Sequence, residues 1–255
     1  MAARSYLLAV LVGLCLLCPS VAGAEEFTRR RLILPDGAFE ITGELARPKI
    51  LGINMSEDRA LEPVYIAPHF YWGASNDVTL GVTHRRGFCV TGEDGGCGDK
   101  VYNDAGFGML ANLIDGDAVE LDLHVGVPVK SFDPFVIGAQ TGVLGKFRAG
   151  TLALVFDPYV YVGFNRRDEG NREYVVLPIW FYIQATAVVV PFFGVAFEGP
   201  LDGFSDYYRV PVEGGVLFDV TQDVDLGVVM RFDNLLGNDS NSDERELGML
   251  ARFRF

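Results

Sequence analysis

The sequence predicts an all-β protein: an antiparallel transmembrane β-barrel of about 12 strands, with short periplasmic turns and longer extracellular loops. Three observations predict this fold. Apolar and polar residues alternate along about twelve segments, the connections between these segments alternate in length, and a secretory signal precedes them. The composition agrees, because 255 residues with 49% hydrophobic and 12% aromatic content exceed what a disordered chain carries.

The alternation is clearest in residues 223–233, "DVDLGVVMRFD". Apolar side chains occupy the even positions from Val224 to Phe232, whereas Asp225 and Arg231 occupy odd positions. A period of two is typical of a strand with one apolar and one polar face. The segments with this pattern are 37–46, 63–73, 77–85, 104–113, 118–127, 135–148, 151–163, 173–183, 187–198, 207–219, 223–233 and 244–255.

The connections between the segments fall into two classes. Short ones lie near 74–76, 114–117, 149–150, 184–186 and 220–222, and long ones near 47–62, 86–103, 128–134, 164–172, 199–206 and 234–243. Because the two classes alternate, turns lie at one rim of the barrel and loops at the other. No repeat or linker interrupts the pattern, so residues 37–255 are predicted to form one barrel.

The last two segments predict their own register. Antiparallel partners share a constant index sum. Three opposite-charge pairs share the sum 477: Arg231 with Glu246, Asp225 with Arg252, and Asp223 with Arg254. A slip of one residue would turn Arg252 and Arg254 toward lipid, at a cost of roughly 2–4 kcal/mol each near the bilayer midplane.

The first residues predict export. Residues 1–24 contain Arg4, an apolar run and Ala22-Gly23-Ala24, which is typical of a signal peptide cleaved after Ala24. Residues 25–36 would then be a periplasmic N-terminal segment. Removal of Arg4 leaves 20 basic against 34 acidic residues, a balance unsuited to nucleic-acid binding.

Two cysteines remain after this cleavage, Cys89 and Cys97, in "CVTGEDGGC". In an exported chain this spacing predicts a disulfide that closes a small loop on the outer rim. The alternative is two free thiols.

Residues 175–197 carry no charge over 23 positions, and hydropathy alone would make them a transmembrane helix. Pro178, Pro191 and a polar break near Gln184 favour two strands and a turn, although prolines are also unfavourable inside a strand. A soluble β-sandwich would show alternation too, but it does not explain the alternating loop lengths.

The C-terminal strand carries a family resemblance. Met249, Ala251, Phe253 and Phe255 are in phase, and the chain ends on Phe. This pattern resembles the closing strand of bacterial outer-membrane β-barrel proteins. The resemblance is to porin-like barrels and identifies no subfamily. The resemblance implies an outer-membrane location in a Gram-negative bacterium, contact with outer-membrane lipid and lipopolysaccharide, and recognition of the last strand by the barrel-assembly machinery.

No catalytic or metal-binding motif is found. His69, His84 and His124 have no zinc-ligand spacing, and no serine elbow is present. We therefore expect no enzyme, no cofactor and no metal. A barrel-borne lipid hydrolase is a third hypothesis, and it would need a nucleophile beside one of these histidines.

The polar face is predicted to line the lumen. A barrel of intermediate width would then be a narrow, passive channel for small solutes, with glycines such as Gly138 and Gly142 leaving space. The alternative is a structural or adhesive surface barrel whose lumen the same residues fill. The candidate lumen residues are Glu120, Asp122, His124, Lys146, Arg148, Asp157, Tyr159, Tyr161, Arg209, Glu213, Asp225, Arg231, Glu246, Arg252 and Arg254.

Overall fold

A computed structural model describes residues 26–48, 64–90, 101–238 and 240–255. The predicted signal peptide and Cys97 lie outside these residues. The described strands are β1 (Phe39–Pro48), β2 (Tyr65–Ser75), β3 (Val78–Thr83), β4 (Phe88–Cys89), β5 (Ala105–Asp115), β6 (Val119–Phe132), β7 (Phe135–Ala149), β8 (Leu152–Phe156), β9 (Tyr159–Gly163), β10 (Tyr174–Ile183), β11 (Val189–Pro200), β12 (Val212–Thr221), β13 (Val224–Asn234) and β14 (Asn241–Arg254). A short helix, α1 (Phe204–Tyr207), precedes β12.

The strands form one closed antiparallel barrel. Neighbours pair in chain order, and β1 pairs with both β2 and β14, which closes the sheet. The segments make 12 barrel strands, because β3 and β4 both pair along β2, and β8 and β9 both lie between β7 and β10. The predicted fold class is confirmed.

The predicted register of the last hairpin is also confirmed. Arg231 lies opposite Glu246, and Asp225 lies opposite Arg252. The third charge pair differs: the Arg254 side chain contacts Glu40 of β1 at 2.7 Å instead of Asp223. Glu40 is directly opposite Arg254 across the closing seam, a neighbour that the sequence of one hairpin does not reveal.

The predicted long loop at 128–134 is wrong. β6 continues to Phe132 and pairs with β7 from Phe135, so only two residues form the turn. Pro128, the first residue of the predicted loop, lies opposite Gly106 within the paired stretch of β5 and β6. A proline is tolerated in a strand where its missing N–H is not needed by the ladder.

The charge-free stretch forms two strands, β10 and β11, as predicted. Pro178 lies where the neighbouring strand is interrupted, since β10 pairs with β9 up to Val176 and with β8 from Ile179. Its carbonyl accepts a hydrogen bond from Asp157 N across this gap. The lost donor of Pro178 therefore falls where no ladder bond is required.

Among the described residues, the structure contains no helix that is both long and apolar enough to cross a membrane.

The two faces of the barrel have opposite character. Outward apolar side chains are exposed, such as Phe107 at 62% and Met249 at 56%, whereas the inward carboxylates of Glu120 and Asp122 are 0% exposed. A single closed sheet with this distribution is the reverse of a soluble sandwich, whose apolar faces meet in a core.

Candidate functional site

The candidate site is the lumen, which strand alternation lines with charged side chains. The N-terminal residues enter it. Residues 26–35, called here the N-terminal segment, lie inside the barrel at the end that carries the short turns, with Thr28 and Ile33 almost fully buried. Leu32 N donates to Glu120 Oε1 at 2.8 Å, and Leu34 N donates to Thr79 Oγ1 at 2.8 Å.

These contacts reach several walls of the barrel. Glu120 belongs to β6 and Thr79 to β3, and Thr28 N contacts Gln184 Oε1 in the turn after β10 at 3.3 Å. The N-terminal segment therefore crosses the short-turn mouth. The sequence predicts a periplasmic segment over residues 25–36, and nothing in that prediction brings it into the barrel.

Arg30 is the main polar anchor of the N-terminal segment. Its Nη1 donates to Asp225 Oδ1 and Oδ2 at 2.9 and 2.8 Å, and its Nη2 donates to Asp219 Oδ1 at 2.5 Å. Arg252 Nη2 also contacts Asp225, at 2.5 Å, and its guanidinium lies 5.0 Å from the centre of the Phe27 ring. Two buried carboxylates thus face two guanidinium groups, and the charges balance.

The opposite wall holds the backbone of the N-terminal segment. Lys146 Nζ donates to the carbonyls of Arg30 and Phe27 at 2.8 and 3.3 Å. Arg148 contacts the Glu120 carboxylate and donates to the Gly116 carbonyl at 3.1 Å. The candidates Lys146, Arg148 and Glu120 are therefore brought together, but around the N-terminal segment.

Asp122 lies next to this group without joining it. Its Oδ1 accepts a hydrogen bond from Asn112 Nδ2 at 2.9 Å, while its Oδ2 has no partner within the described part of the chain. Arg31 pairs with Asp115 at 3.0 Å, at the end of β5 and beside the turn that leads to β6.

A second cluster surrounds Arg231 on β13. Its Nε contacts Glu213 at 2.7 Å, its Nη1 contacts Glu246 at 3.0 Å, and it also contacts Glu44. The indole N–H of Trp180 donates to Glu213. Three carboxylates share one guanidinium, so this wall of the lumen has an excess of negative charge.

A third cluster lies across the barrel, on β6 to β9. His124 Nδ1 contacts Asp157 Oδ1 at 2.9 Å, and its Nε2 lies 3.2 Å from Gln140 Nε2. Tyr159 lies beside the imidazole. Among the described residues no group of three or more acidic, histidine or cysteine side chains could hold a metal ion.

The contacts of the histidines bear on the hydrolase hypothesis. His84 contacts the Pro68 carbonyl and, at 2.9 Å, the Tyr102 hydroxyl, while His69 Nδ1 accepts a hydrogen bond from His84 N. In the part of the chain that the structure describes, no serine is hydrogen-bonded to these rings or to His124.

The remaining candidates lie toward the long-loop end. Tyr161 donates to Asn171 at 2.6 Å, and Lys130 Nζ lies 3.5 Å from the centre of its ring. Arg209 precedes β12 and is exposed, since the strand begins five residues later than predicted, at Val212. An isolated bridge with Glu198 connects it to β11.

The loops at this end carry ion pairs and the disulfide position. Hydrogen bonding from Arg167 lowers the pKa of Glu173, which is in a loop outside the strands. Cys89 is disulfide-bonded at the end of β4. Its predicted partner Cys97 lies outside the described residues, so that pairing stays a prediction.

Gly138 and Gly142 do not leave the space that the sequence suggested. A Cβ at Gly138 would lie 2.4 Å from the Tyr161 hydroxyl, and a Cβ at Gly142 would lie 2.1 Å from the Pro158 carbonyl oxygen. Neighbouring groups already fill these positions. Glycine is needed there because another part of the wall approaches closely.

The open volume lies between the N-terminal segment and the wall instead. A cavity of about 280 Å³ is bounded by Arg30, Tyr71 and Arg254, and a second of about 260 Å³ is bounded by Trp180, Tyr182 and Arg231. Phe27 and Arg252 line both cavities, so the two cavities are adjacent.

Several site residues were not among the sequence candidates. Arg30 and Phe27 precede the predicted barrel, and Trp180 lies in the charge-free stretch. Glu44 and Asp219 lie on the predicted polar face, but their partners Arg231 and Arg30 come from elements that the pattern does not place beside them. One signal was available: Arg29, Arg30 and Arg31 are consecutive in a chain of net charge −13. A run of three arginines in an acidic chain indicates that this segment forms ion pairs with carboxylates.

Comparison with known proteins identifies the fold. No family model and no curated protein matches the sequence. Among solved structures, the KdgM porin in complex with disordered oligogalacturonate aligns with a TM-score of 0.59 and 7% identity, covering 85% of this chain and 99% of that chain. The NanC porin aligns with a TM-score of 0.59 and 7% identity, covering 84% and 98%. This chain therefore has the fold of the porin-like outer-membrane β-barrels, with no subfamily identified.

Proposed function

We propose that this protein is an outer-membrane channel for the passive passage of small solutes through a narrow, charged lumen. The observation that carries the proposal is the pair of adjacent cavities, about 280 and 260 Å³, inside a closed barrel. An eight-stranded barrel would be filled by side chains, whereas 12 strands enclose more room. The fold shared with KdgM and NanC, both named as porins, supports the same function.

The N-terminal segment limits the size of the solute. It crosses the short-turn mouth and divides the remaining space, so the channel is narrower than the strand number alone implies. We expect low conductance and exclusion of large solutes. No step of this function requires a cofactor or an enzymatic group.

The surroundings of the barrel follow from its outer face. Exposed apolar strands favour outer-membrane lipid, and the long loops would face lipopolysaccharide. The terminal strand, ending at Phe255, would be the signal that the barrel-assembly machinery recognises, after export through the predicted signal peptide.

Planar-bilayer recording of the purified, folded protein tests the proposal. We expect discrete current steps with K⁺ preferred over Cl⁻, because Arg231 is outnumbered by Glu44, Glu213 and Glu246. The variant E213Q should lower the ratio of K⁺ to Cl⁻ permeability. The matched control is E169Q, in the exposed loop pair Arg166–Glu169.

A second candidate is a structural or adhesive barrel without transport. The observation that favours it is the N-terminal segment, which is fixed across the mouth by buried ion pairs. Absence of current steps from correctly folded protein, with or without this segment, would contradict the channel and leave the structural barrel.

A further inference from the structure

We propose that Asp219 and Asp225 form a guanidinium-binding site of the lumen, which Arg30 occupies as an internal ligand. Solutes that carry a guanidinium group would be recognised there when Arg30 is displaced. This use of the site rests on the proposed channel function, whereas the binding site itself rests on the geometry.

The first argument is the way in which the Arg30 head group is held. Its Nη1 contacts both oxygens of Asp225, and its Nη2 contacts Asp219. All three side chains are at least 94% buried. Planar N–H donors on two terminal nitrogens fit this pair of carboxylates better than a spherical cation does.

The second argument is the origin of the ligand. The two carboxylates come from β12 and β13, on a rigid wall of the barrel. Arg30 comes from a segment with no strand partner in the described structure, and that segment is held by separate contacts to Glu120, Thr79 and Lys146. The site is therefore part of the wall, while its occupant is a separable piece of chain.

The third argument is charge. Without Arg30, the two buried aspartates would keep Arg252 as their cationic neighbour within the described structure, and Arg252 also lies 4.0 Å from Glu40. An uncompensated buried carboxylate is unfavourable, so a replacement cation would be drawn in. Asp225 also lines the 260 Å³ cavity, which gives a small cation room to approach the site.

The test uses the variant R30A, which vacates the site, and methylguanidinium as the probe. We expect saturable binding of methylguanidinium to folded R30A by calorimetry in detergent. Binding to the wild-type protein should be about tenfold weaker or more, because Arg30 competes at the high effective concentration of a tethered ligand.

Three controls make the result specific. The double variant R30A/D219N should lose most of the affinity for methylguanidinium, because Asp219 is one of the two carboxylates that hold the Arg30 guanidinium. R31A removes an arginine of the same segment that pairs with the half-exposed Asp115, and it should create no site. Tetramethylammonium carries the same charge without N–H donors and should not bind.

The outcomes separate the site from the channel. The site is disproved if R30A binds methylguanidinium no better than wild type or R31A, even when current steps are seen. It is also disproved if adding D219N to R30A leaves the affinity for methylguanidinium unchanged. If R30A binds the probe but no variant conducts, the site stands and the channel fails. Should R30A fold poorly, its refolding yield must rise with methylguanidinium, and an unchanged yield would also overturn the proposal.

Discussion

At the scale of single residues, the buried charges at the short-turn end of the lumen are balanced locally. Asp225 lies between Arg30 and Arg252, and Glu120 lies between Arg148 and the backbone N–H of Leu32. Such pairs contribute little net stability compared with apolar packing, yet removing one partner costs about 3–5 kcal/mol. Their effect is to specify which side chains meet.

Gly142 offers a residue-scale prediction. In the variant G142A the new methyl group would collide with the Pro158 carbonyl oxygen, which accepts a hydrogen bond from Val143 N. We expect the free energy of unfolding in lipid vesicles to fall by about 1–3 kcal/mol.

The control for this prediction is G43A, on a strand position where a Cβ meets nothing within 4 Å. Its unfolding free energy should change by less than about 0.5 kcal/mol. Equal losses in both variants would show that the wall does not approach Gly142 as described.

At the scale of elements, strands and the N-terminal segment are held in different ways. The strands are joined by continuous ladders, such as the pairing of β13 with β14. The N-terminal segment has a few backbone turns of its own and side-chain contacts to the wall, with no ladder among the described residues. An element with few ladder bonds opens more readily than the strands around it.

Deletion of residues 26–35 tests the role of this element. We expect the single-channel conductance to rise severalfold, because the segment occupies the short-turn mouth and borders both cavities. The barrel should also unfold at lower denaturant, since Asp219 and Asp225 lose Arg30.

The matched control is R29A, in the same segment. The Arg29 side chain is 65% exposed and pairs with Glu26. Its conductance should remain that of the wild-type protein. An unchanged conductance after the deletion, in a barrel shown to be folded, would mean that the segment does not obstruct the passage.

At the scale of the whole molecule, closure of the sheet separates an enclosed lumen from an outer surface. β1 joins β14 along a seam where Phe39 and Phe255 exchange backbone hydrogen bonds of 2.9 and 3.1 Å. Each of the 12 described barrel strands then has two neighbours, so the described sheet has no free edge. Closure also brings Glu40 and Glu44 of the first strand to Arg254 and Arg231 near the end of the chain.

The orientation of the barrel in lipid predicts a contrast between two substitutions. M249R places a charge on an outward side chain of β14 that is 56% exposed, whereas L236R places one on a loop side chain that is 68% exposed. We expect M249R to lose roughly 2–4 kcal/mol of folding free energy in lipid vesicles.

For L236R the change should stay within about 0.5 kcal/mol, because loop side chains remain in water. Similar small effects in both variants would show that the apolar face of β14 does not contact hydrocarbon.

Sequence patterns alone were enough to predict the barrel, its strand number and the register of the last hairpin. These depend on alternation with a period of two and on charges such as Arg252 and Glu246 in adjacent segments, which are local properties. The sequence misjudged the end of β6, the start of β12 and the space at Gly138, where the result depends on a neighbouring strand.

The contents of the lumen, in contrast, depend on contacts between residues that are far apart in the sequence. Arg30 meets Asp225 across 195 positions of sequence, and Arg231 meets Glu44 across 187. Periodicity shows that a side chain faces inward, but it does not show which inward side chains meet. That depends on the curvature that closes the sheet and on the path of a segment with no strand pattern.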